Sequence, residues 1–334
     1  MEINTSIIIQ AILLGLALSV VILRCWARLR FERASLSASE YFAWLGWFFS
    51  LGWFICSTIA LRILIDHPAI GERLLVNNVD YLKTVFVAEY FFDIGIYWPK
   101  LSITTFYWVL IPRVFQSLRT ALYLSTAYLV CALIAAMLTV TLITQPISNN
   151  WSIENQLESA WNSYTVFVVQ WGLNFSTDLL VFIFPFFILK HLTLGKEQKI
   201  GLIGVFSLGA ITISVSLARF IAYNVTDFGL DDASGNTLCT AEMTTAVTVV
   251  CLPGLKKLIT RSKTPKNTAD HGDTSGVSGS AQSASNYGFN PHPVPQAYAE
   301  WGVRDDEIEL VSNFRNSYPP DSDIPNEPEA ARSS

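Results

Sequence analysis

Seven apolar blocks of about 20 residues restrict the folds open to this chain. An α-helix of that length crosses the ~30 Å hydrocarbon core of a bilayer. Of the 334 residues, 51% are hydrophobic and only 15% are charged, so the chain is more apolar and less charged than soluble domains are. The blocks cover about 6–24, 41–62, 84–110, 120–143, 164–189, 200–224 and 241–259. The sequence therefore predicts an all-α, seven-transmembrane helix bundle over residues 1–260.

Positive charge is unevenly distributed between the two sets of connecting segments. One set is rich in Lys and Arg, whereas the other holds only Arg62, Arg73 and Lys83, and its segments 144–163 and 226–240 hold none. Because cytoplasmic loops carry the excess of Lys and Arg, we predict an outside N-terminus and a cytoplasmic C-terminus, with the plasma membrane as the default location. The charges on the predicted cytoplasmic side are Arg24, Arg28, Arg30, Arg33, Arg113, Arg119, Lys190, Lys196, Lys199, Lys256, Lys257, Arg261, Lys263 and Lys266.

Two glycosylation sequons begin at Asn4 and Asn150, both on the predicted outer side. We therefore expect glycans there. The sequon at Asn174 lies inside the fifth apolar block and that at Asn224 lies at a helix end, so neither is expected to be modified.

Residues 261–334 differ in composition from the rest of the chain. They are rich in Ser, Gly, Asn, Pro and Asp, which cannot bury enough apolar surface to fold, so the sequence predicts a disordered cytoplasmic tail.

The net charge of −5 gives no indication of a nucleic-acid partner. The sequence has no P-loop, no HExxH motif and no cluster of its four histidines, so we expect no metal site, and an enzyme is the less favoured class.

Ionisable residues within the apolar blocks are the strongest indication of a site, because each costs several kcal/mol at membrane depth. The third block contains Glu89, Asp93 and Lys100, whose spacing places them along one stripe of a helix. Counting depth along each predicted span arranges the buried charges in two layers. The outer layer contains Glu89, Asp93, Arg219 and Glu242, and the inner layer contains Lys100 and Asp178.

The two layers call for different interpretations. The outer cluster is predicted to bind a polar small molecule or an ion, with a structural network of ion pairs as the alternative. Lys100 and Asp178 are interpreted as a structural ion pair that fixes helix register. Three prolines, Pro99, Pro185 and Pro253, interrupt the third, fifth and seventh blocks, where proline kinks a helix.

Several motifs follow one another along the chain, each occurring once: YWPKLSITTFYWVLIPRVF at 97–115, PISNNW after the fourth block, Asp178 followed by Pro185, LARF around Arg219, and CLPGLKKLI at 251–259. In this order and spacing the chain resembles the fungal rhodopsin-domain membrane proteins. That family includes seven-transmembrane receptor candidates and integral membrane proteins often encoded in secondary-metabolite gene clusters. The resemblance covers about residues 1–260 and implies a seven-transmembrane, rhodopsin-like domain.

The resemblance also implies roles for individual residues. The family's lysine, span-five aspartate, span-six arginine and span-seven glutamate match Lys100, Asp178, Arg219 and Glu242. Two features depart from the family pattern: the acidic pair before the second span is replaced by Ser39-Glu40, and 144–163 lacks the family's cysteine. Retinal requires a lysine within the seventh span, and 241–255 has none, so we expect no retinal and no other cofactor.

Two classes of function follow from the resemblance and the charges. The first is an accessory membrane protein of a secondary-metabolite pathway, a mycotoxin pathway among them, that handles or senses a small molecule; handling would make it a transporter or a membrane enzyme acting on an apolar intermediate. The second is a receptor that couples an extracellular ligand to a cytoplasmic signalling partner.

Overall fold

The structure of the protein, a computed structural model, describes residues 1–32, 37–68, 75–111, 116–191, 196–227 and 229–262. Every regular element in these ranges is helical. A π-helical turn, Arg28–Glu32, follows the first helix, and three short 3-10 turns, Ile147–Trp151, Gln156–Glu158 and Ala160–Asn162, lie between α5 and α6. The α-helices are α1 (Ile3–Ala27), α2 (Ala38–Asp66), α3 (Val79–Gly95), α4 (Tyr97–Leu110), α5 (Gln116–Leu142), α6 (Tyr164–His191), α7 (Lys196–Val225) and α8 (Asp232–Ser262).

Each predicted apolar block coincides with helix, which confirms the all-α class. Within the described ranges, four helical segments are long and apolar enough to cross a membrane, and a shorter apolar one covers Gly209–Val225. The number of spans and their orientation stay predictions. The predicted tail begins at 261, whereas α8 continues to Ser262, and residues 263–334 lie outside the described ranges. The four long segments are Ile3–Arg30, Ala38–Asp66, Gln116–Leu142 and Tyr164–Phe184.

The lipid-exposed and the buried faces of a helix carry side chains of different size, as α1 illustrates. On α1, large apolar side chains such as Ile8, Ile12 and Leu16 lie on the exposed face, while Ala17 and Val21 are fully buried against neighbouring helices. In water such an exposed apolar face would be unfavourable. These helices are therefore suited to a lipid environment, with small residues at the helix contacts as membrane bundles require.

The helices form one closed bundle. α1 packs against α2 and, most extensively, against α8, while α5, α6, α7 and α8 pack in succession, so the first and last helices meet. α2 also contacts α3, α4 and α8. α3 and α4 lie between α2 and α5, and their polar side chains reach α6, as the hydrogen bonds of Lys100 and Asp93 show.

A break divides the third predicted span into α3 and α4. The helix ends at Gly95 and resumes at Tyr97, upstream of Pro99. Proline has no N–H to bond the carbonyl four residues earlier, so the hydrogen bond to Gly95 is lost. A side chain at Gly95 would collide with Met243 of α8, so the break lies where α3 and α8 approach closely. α6 and α8 continue as helix through Pro185 and Pro253.

The last helix begins earlier than the predicted residue 241. Asp231 caps α8, since its carboxylate accepts hydrogen bonds from the Ser234 amide and hydroxyl, both at 3.1 Å. These bonds and a 3.1 Å contact with the N-terminal ammonium group outweigh the effect of burial and lower the pKa of Asp231. The Ser6 hydroxyl of α1 donates to the Ala233 carbonyl at 2.8 Å. Tertiary contacts thus hold a polar stretch that the sequence assigned to a loop.

Candidate functional site

A cavity of about 130 Å³ lies inside the bundle toward its predicted outer end. Its wall is formed by α2, α3, α4, α6, α7 and α8, together with Ala160 and Trp161 from the segment between α5 and α6. Much of this wall is aromatic, so a bound molecule would contact rings as well as charges. The aromatic wall residues are Trp53, Tyr81, Phe92, Tyr97, Trp161, Phe167 and Tyr223.

The structure brings the predicted outer cluster together but gives its members different positions. Glu89, Asp93 and Arg219 line the cavity, whereas Glu242 is not among the lining residues and contacts Arg219. Arg219 Nε donates to Glu242 Oε2 at 2.5 Å, and both side chains are buried. The predicted seventh span, 241–259, placed Glu242 at the start of a helix. Because α8 begins at Asp232, Glu242 instead lies about three helical turns inside it.

Arg219 is also held by two aromatic rings. Its guanidinium carbon lies 4.9 Å from the ring centre of Phe92 and 5.5 Å from that of Phe167. Such cation–π contacts contribute about 2 kcal/mol or more when they are desolvated. The arginine is therefore fixed in orientation by Glu242 and by rings from α3 and α6.

The two carboxylates on the cavity wall differ in how they are satisfied. Asp93 is buried and accepts a hydrogen bond from Gln170 Nε2 at 2.8 Å. Glu89 makes no hydrogen bond or ion pair with any residue that the structure describes. A carboxylate on the wall of an internal cavity normally has a charge-assisted partner. Glu89 is therefore the wall residue whose carboxylate is most available to bind a ligand or an ion.

The predicted inner pair is a direct contact. Lys100 Nζ lies 3.0 Å from Asp178 Oδ1. The same ammonium group donates to the Asn174 carbonyl at 2.8 Å, to Asn174 Oδ1 at 2.5 Å and to Thr177 Oγ1 at 2.7 Å. Lys100 is thus a buried cation with several acceptors, an arrangement suited to joining α4 to α6.

Asn174 connects the two layers that the sequence treated as separate. While its oxygens accept from Lys100, its Nδ2 donates to Glu242 Oε1 at 2.8 Å. A continuous polar chain therefore runs from Arg219 through Glu242, Asn174 and Lys100 to Asp178. The sequence marked Asn174 only as an unused sequon. Its position one turn before Asp178 on the same helix was the signal for a shared site.

Two polar wall groups have no hydrogen-bond partner within the described part of the chain. Tyr97 is only 3% exposed, and neither its hydroxyl nor the indole nitrogen of Trp161 bonds to a described residue. Buried polar groups are rarely left unsatisfied. By contrast, the Tyr81 hydroxyl donates to Asp232 Oδ2 at 2.5 Å, so that cavity carboxylate is paired.

The segment between α5 and α6 closes one side of the cavity and is clamped to the chain just before α3. The side-chain amide of Gln156 accepts from the Val76 N–H at 3.1 Å and donates to the Val76 carbonyl at 2.9 Å. This two-point clamp positions Ala160 and Trp161 at the cavity wall.

A second buried network lies near the opposite ends of α1, α2, α4 and α8. Arg24, which the sequence used only as a marker of the cytoplasmic side, is 4% exposed and donates to Glu40 Oε1 at 2.9 Å, to Ser39 Oγ at 2.7 Å and to the Val250 carbonyl at 2.5 Å. Ser39 in turn lies 3.0 Å from Ser102 Oγ. The Ser39-Glu40 pair, which departs from the family's acidic pair, thus supplies one charge to a four-helix junction.

The two asparagines expected to carry glycans have different surroundings. Asn4 is exposed, but it lies within α1 and the Ser6 hydroxyl of its sequon is fully buried. Asn150 is fully buried, and its amide donates to the Ile147 carbonyl and accepts from the Ala160 N–H. A glycan on Asn150 would require the surrounding loop to unfold, so this packing argues against modification there.

Among the described residues, no group of side chains is suited to bind a metal ion. No three acidic, histidine or cysteine side chains among them are placed to share one ion, and all five cysteines are free. The absence of a lysine from 241–255 is a property of the sequence, and the expectation that no retinal binds remains a prediction.

Comparison with known proteins identifies the family. The family model described as Fungal rhodopsin domain matches residues 23–261, which is most of the chain and includes every charge of both layers. No curated protein and no solved structure matches the chain. The chain is therefore a membrane protein that belongs to the fungal rhodopsin domain family.

Proposed function

We propose that this protein binds a small metabolite in the outer cavity and acts as an accessory membrane protein of a secondary-metabolite pathway, which it serves by handling or sensing that molecule. The observation that carries the proposal is Glu89, a carboxylate on the wall of an internal cavity with no partner among the described residues. Glu89 is half-buried, and an ionisable group without a partner inside a membrane helix is costly, so such groups mark ligand or ion pathways.

The cavity has the properties expected of a ligand site. It is concave, lined mostly by aliphatic and aromatic side chains, and supplied with a few polar groups, which is the usual composition of small-molecule sites. The side chains of Glu89, Asp93, Arg219 and Tyr97 reach it from α3, α4 and α7. The pathway assignment is supported by the family resemblance, since related membrane proteins are encoded in secondary-metabolite clusters.

A receptor function is the second candidate, and the helix break favours it. Asp93, Ile96 and Tyr97 line the cavity across the break between α3 and α4. A ligand held between these residues would change the relative position of α3 and α4, and α4 carries Lys100 toward the predicted cytoplasmic side. Ligand binding would in this way change the cytoplasmic surface of the bundle, which a signalling partner at the plasma membrane would recognise.

Deletion of the gene in its native host tests the proposal and separates its variants. Metabolites of cells and medium and transcripts of biosynthetic genes are measured in the same culture. A single compound that accumulates or changes compartment at constant transcript levels indicates handling, by transport or by catalysis. A broad change in transcripts that precedes any metabolite change indicates a sensor. Unchanged metabolites and transcripts would contradict both handling and sensing.

Complementation of the deletion strain links the phenotype to the cavity. Glu89→Gln removes the unpartnered charge with little change of shape, and we expect it not to restore the wild-type profile. Glu154→Gln makes the same chemical change at an exposed position and serves as the control. Equal restoration by both variants, at equal protein levels, would exclude the cavity as the functional site.

A further inference from the structure

The charges around the cavity are unbalanced. Glu89, Asp93 and Asp232 line the cavity, Glu242 lies next to it, and Arg219 is the only cation among the described lining residues. Because Glu242 is the ion-pair partner of Arg219, neither carboxylate of α3 forms an ion pair with a described residue, although both lie within the electrostatic influence of Arg219. The protein thus presents more carboxyl groups than cations to a largely buried space, where a cation that pairs with them is bound more strongly than in water.

The rest of the wall indicates what kind of cation would fit. Aromatic rings surround the carboxylates, and rings attract alkylated ammonium groups through their negative faces. The described residues provide no group of three acidic, histidine or cysteine side chains around one point, so a metal ion would have to rely on the two carboxylates of α3 with carbonyls or waters. Rings combined with two carboxylates favour an organic ammonium group over an inorganic ion.

An independent observation at the same wall also points to a ligand. Tyr97 is 3% exposed and its hydroxyl has no partner within the described residues. The hydroxyl can accept a hydrogen bond from an N–H donor, which a protonated amine carries. A bound amine would satisfy this buried group together with Glu89.

The volume of the cavity limits the size of the ligand. An apolar cavity of about 150 Å³ accommodates benzene. The cavity of this protein, at about 130 Å³, holds a molecule of similar or slightly smaller size. A larger metabolite would enter only with its amine-bearing end, unless the segment clamped by Gln156 moves.

We propose that the ligand of this cavity is a compact organic cation, a protonated amine whose ammonium group lies against Glu89 and Asp93 and whose carbon skeleton packs on the surrounding rings. The assignment rests on the proposed function and names its substrate class. Glu89 and Asp93 lie one helical turn apart on α3, so their carboxylates reach one ammonium group from the same side. Arg219, held by Glu242 and two rings, lines the same cavity.

Three probes of similar size and different charge test this class. Piperidine is a cyclic amine that is protonated at neutral pH, tetrahydropyran is its neutral ether isostere, and cyclopropanecarboxylate is a compact anion. The purified full-length protein in lipid nanodiscs is titrated with each, and the unfolding midpoint is followed by tryptophan fluorescence. A ligand that binds the folded state raises the midpoint in a saturable manner. We expect piperidine to bind at least about tenfold more tightly than tetrahydropyran.

Matched variants assign the effect to the cavity. Glu89→Gln is expected to weaken piperidine binding about tenfold and to leave tetrahydropyran unaffected, whereas Glu154→Gln changes neither. Glu89→Gln removes an unpartnered charge, so it should fold at least as well as the wild type. Tyr97→Phe, which removes an unsatisfied hydroxyl, provides a second variant that should keep the fold and lose affinity for the amine.

Each outcome bears on the assignment. Equal affinity for piperidine and tetrahydropyran, preference for the carboxylate, or no stabilisation by piperidine overturns the organic cation. In those cases the proposed function still stands if Glu89→Gln fails to complement the deletion strain. If piperidine has no effect and Glu89→Gln complements fully, both the ligand class and the proposed function are wrong.

Discussion

Replacing Arg219 with methionine tests whether the polar chain inside the bundle is an ion-pair network. Methionine keeps an unbranched side chain of similar reach but removes the charge that faces Glu242 at 2.5 Å. Glu242 is 4% exposed, so its carboxylate would remain buried, with only the Asn174 amide as a donor among the described residues. The substitution therefore isolates the consequence of an unpaired buried charge.

The magnitude follows from the burial of both partners. Removing one member of a buried ion pair costs about 3–5 kcal/mol, because the charge that remains is not compensated. For a chain of this size that corresponds to a decrease in melting temperature on the order of 10 °C. Adding Glu242→Gln should recover about half of the loss, since glutamine can still accept the hydrogen bond from Asn174.

Melting in lipid nanodiscs, followed by tryptophan fluorescence, measures both variants. Arg62→Met is the control, because Arg62 is exposed and has no ion pair among the described residues. A melting temperature for Arg219→Met within about 1 °C of the control would refute the network. So would a double variant that melts below the single one, because the charge of Glu242 could then not be the cause.

Three further predictions address other parts of the account. Lys100→Met should destabilise the bundle by about 3 kcal/mol, and Asp178→Asn should restore part of this in the same thermal assay, because the pair lies 3.0 Å apart. Gly95→Ala should cost about 1–3 kcal/mol of stability, since the added methyl group would crowd Phe49 Cβ at 3.0 Å as well as displace the end of the Met243 side chain. Asp231→Asn should lower the melting temperature at pH 7. Because the pKa of Asp231 is lowered in the folded state, its contribution is present above the ordinary value of 3.8 and is lost as the pH falls through the lowered pKa. The two melting temperatures should therefore begin to converge below about pH 4 and meet only below that lowered pKa.

The helices and the buried charges were accessible from the sequence, because length, hydropathy and the rarity of ionisable residues in membranes are local signals. The same reasoning selected Glu89, Asp93 and Arg219, which the structure brings to one cavity. It placed the interruption of the third span at Pro99, and the missing N–H moves the break upstream to Ile96.

Neutral amides account for much of what could not be predicted. Asn174 and Gln170 carry no charge and resemble ordinary polar residues in a hydropathy profile, yet each donates to a carboxylate of the outer cluster. Gln10 similarly bonds Ser57 and Thr240 across three helices. Their importance depends on which helices are neighbours, and that information lies in tertiary packing.

The most direct test of the central claim uses Cys239, a native thiol on the cavity wall. With the other four cysteines replaced, the rates of modification by a positively and a negatively charged methanethiosulfonate of equal size are compared, and Cys239→Ala is the blank. A cavity that admits cations predicts faster reaction with the positive reagent and a smaller rate ratio in Glu89→Gln. Equal rates or a faster negative reagent would contradict the account.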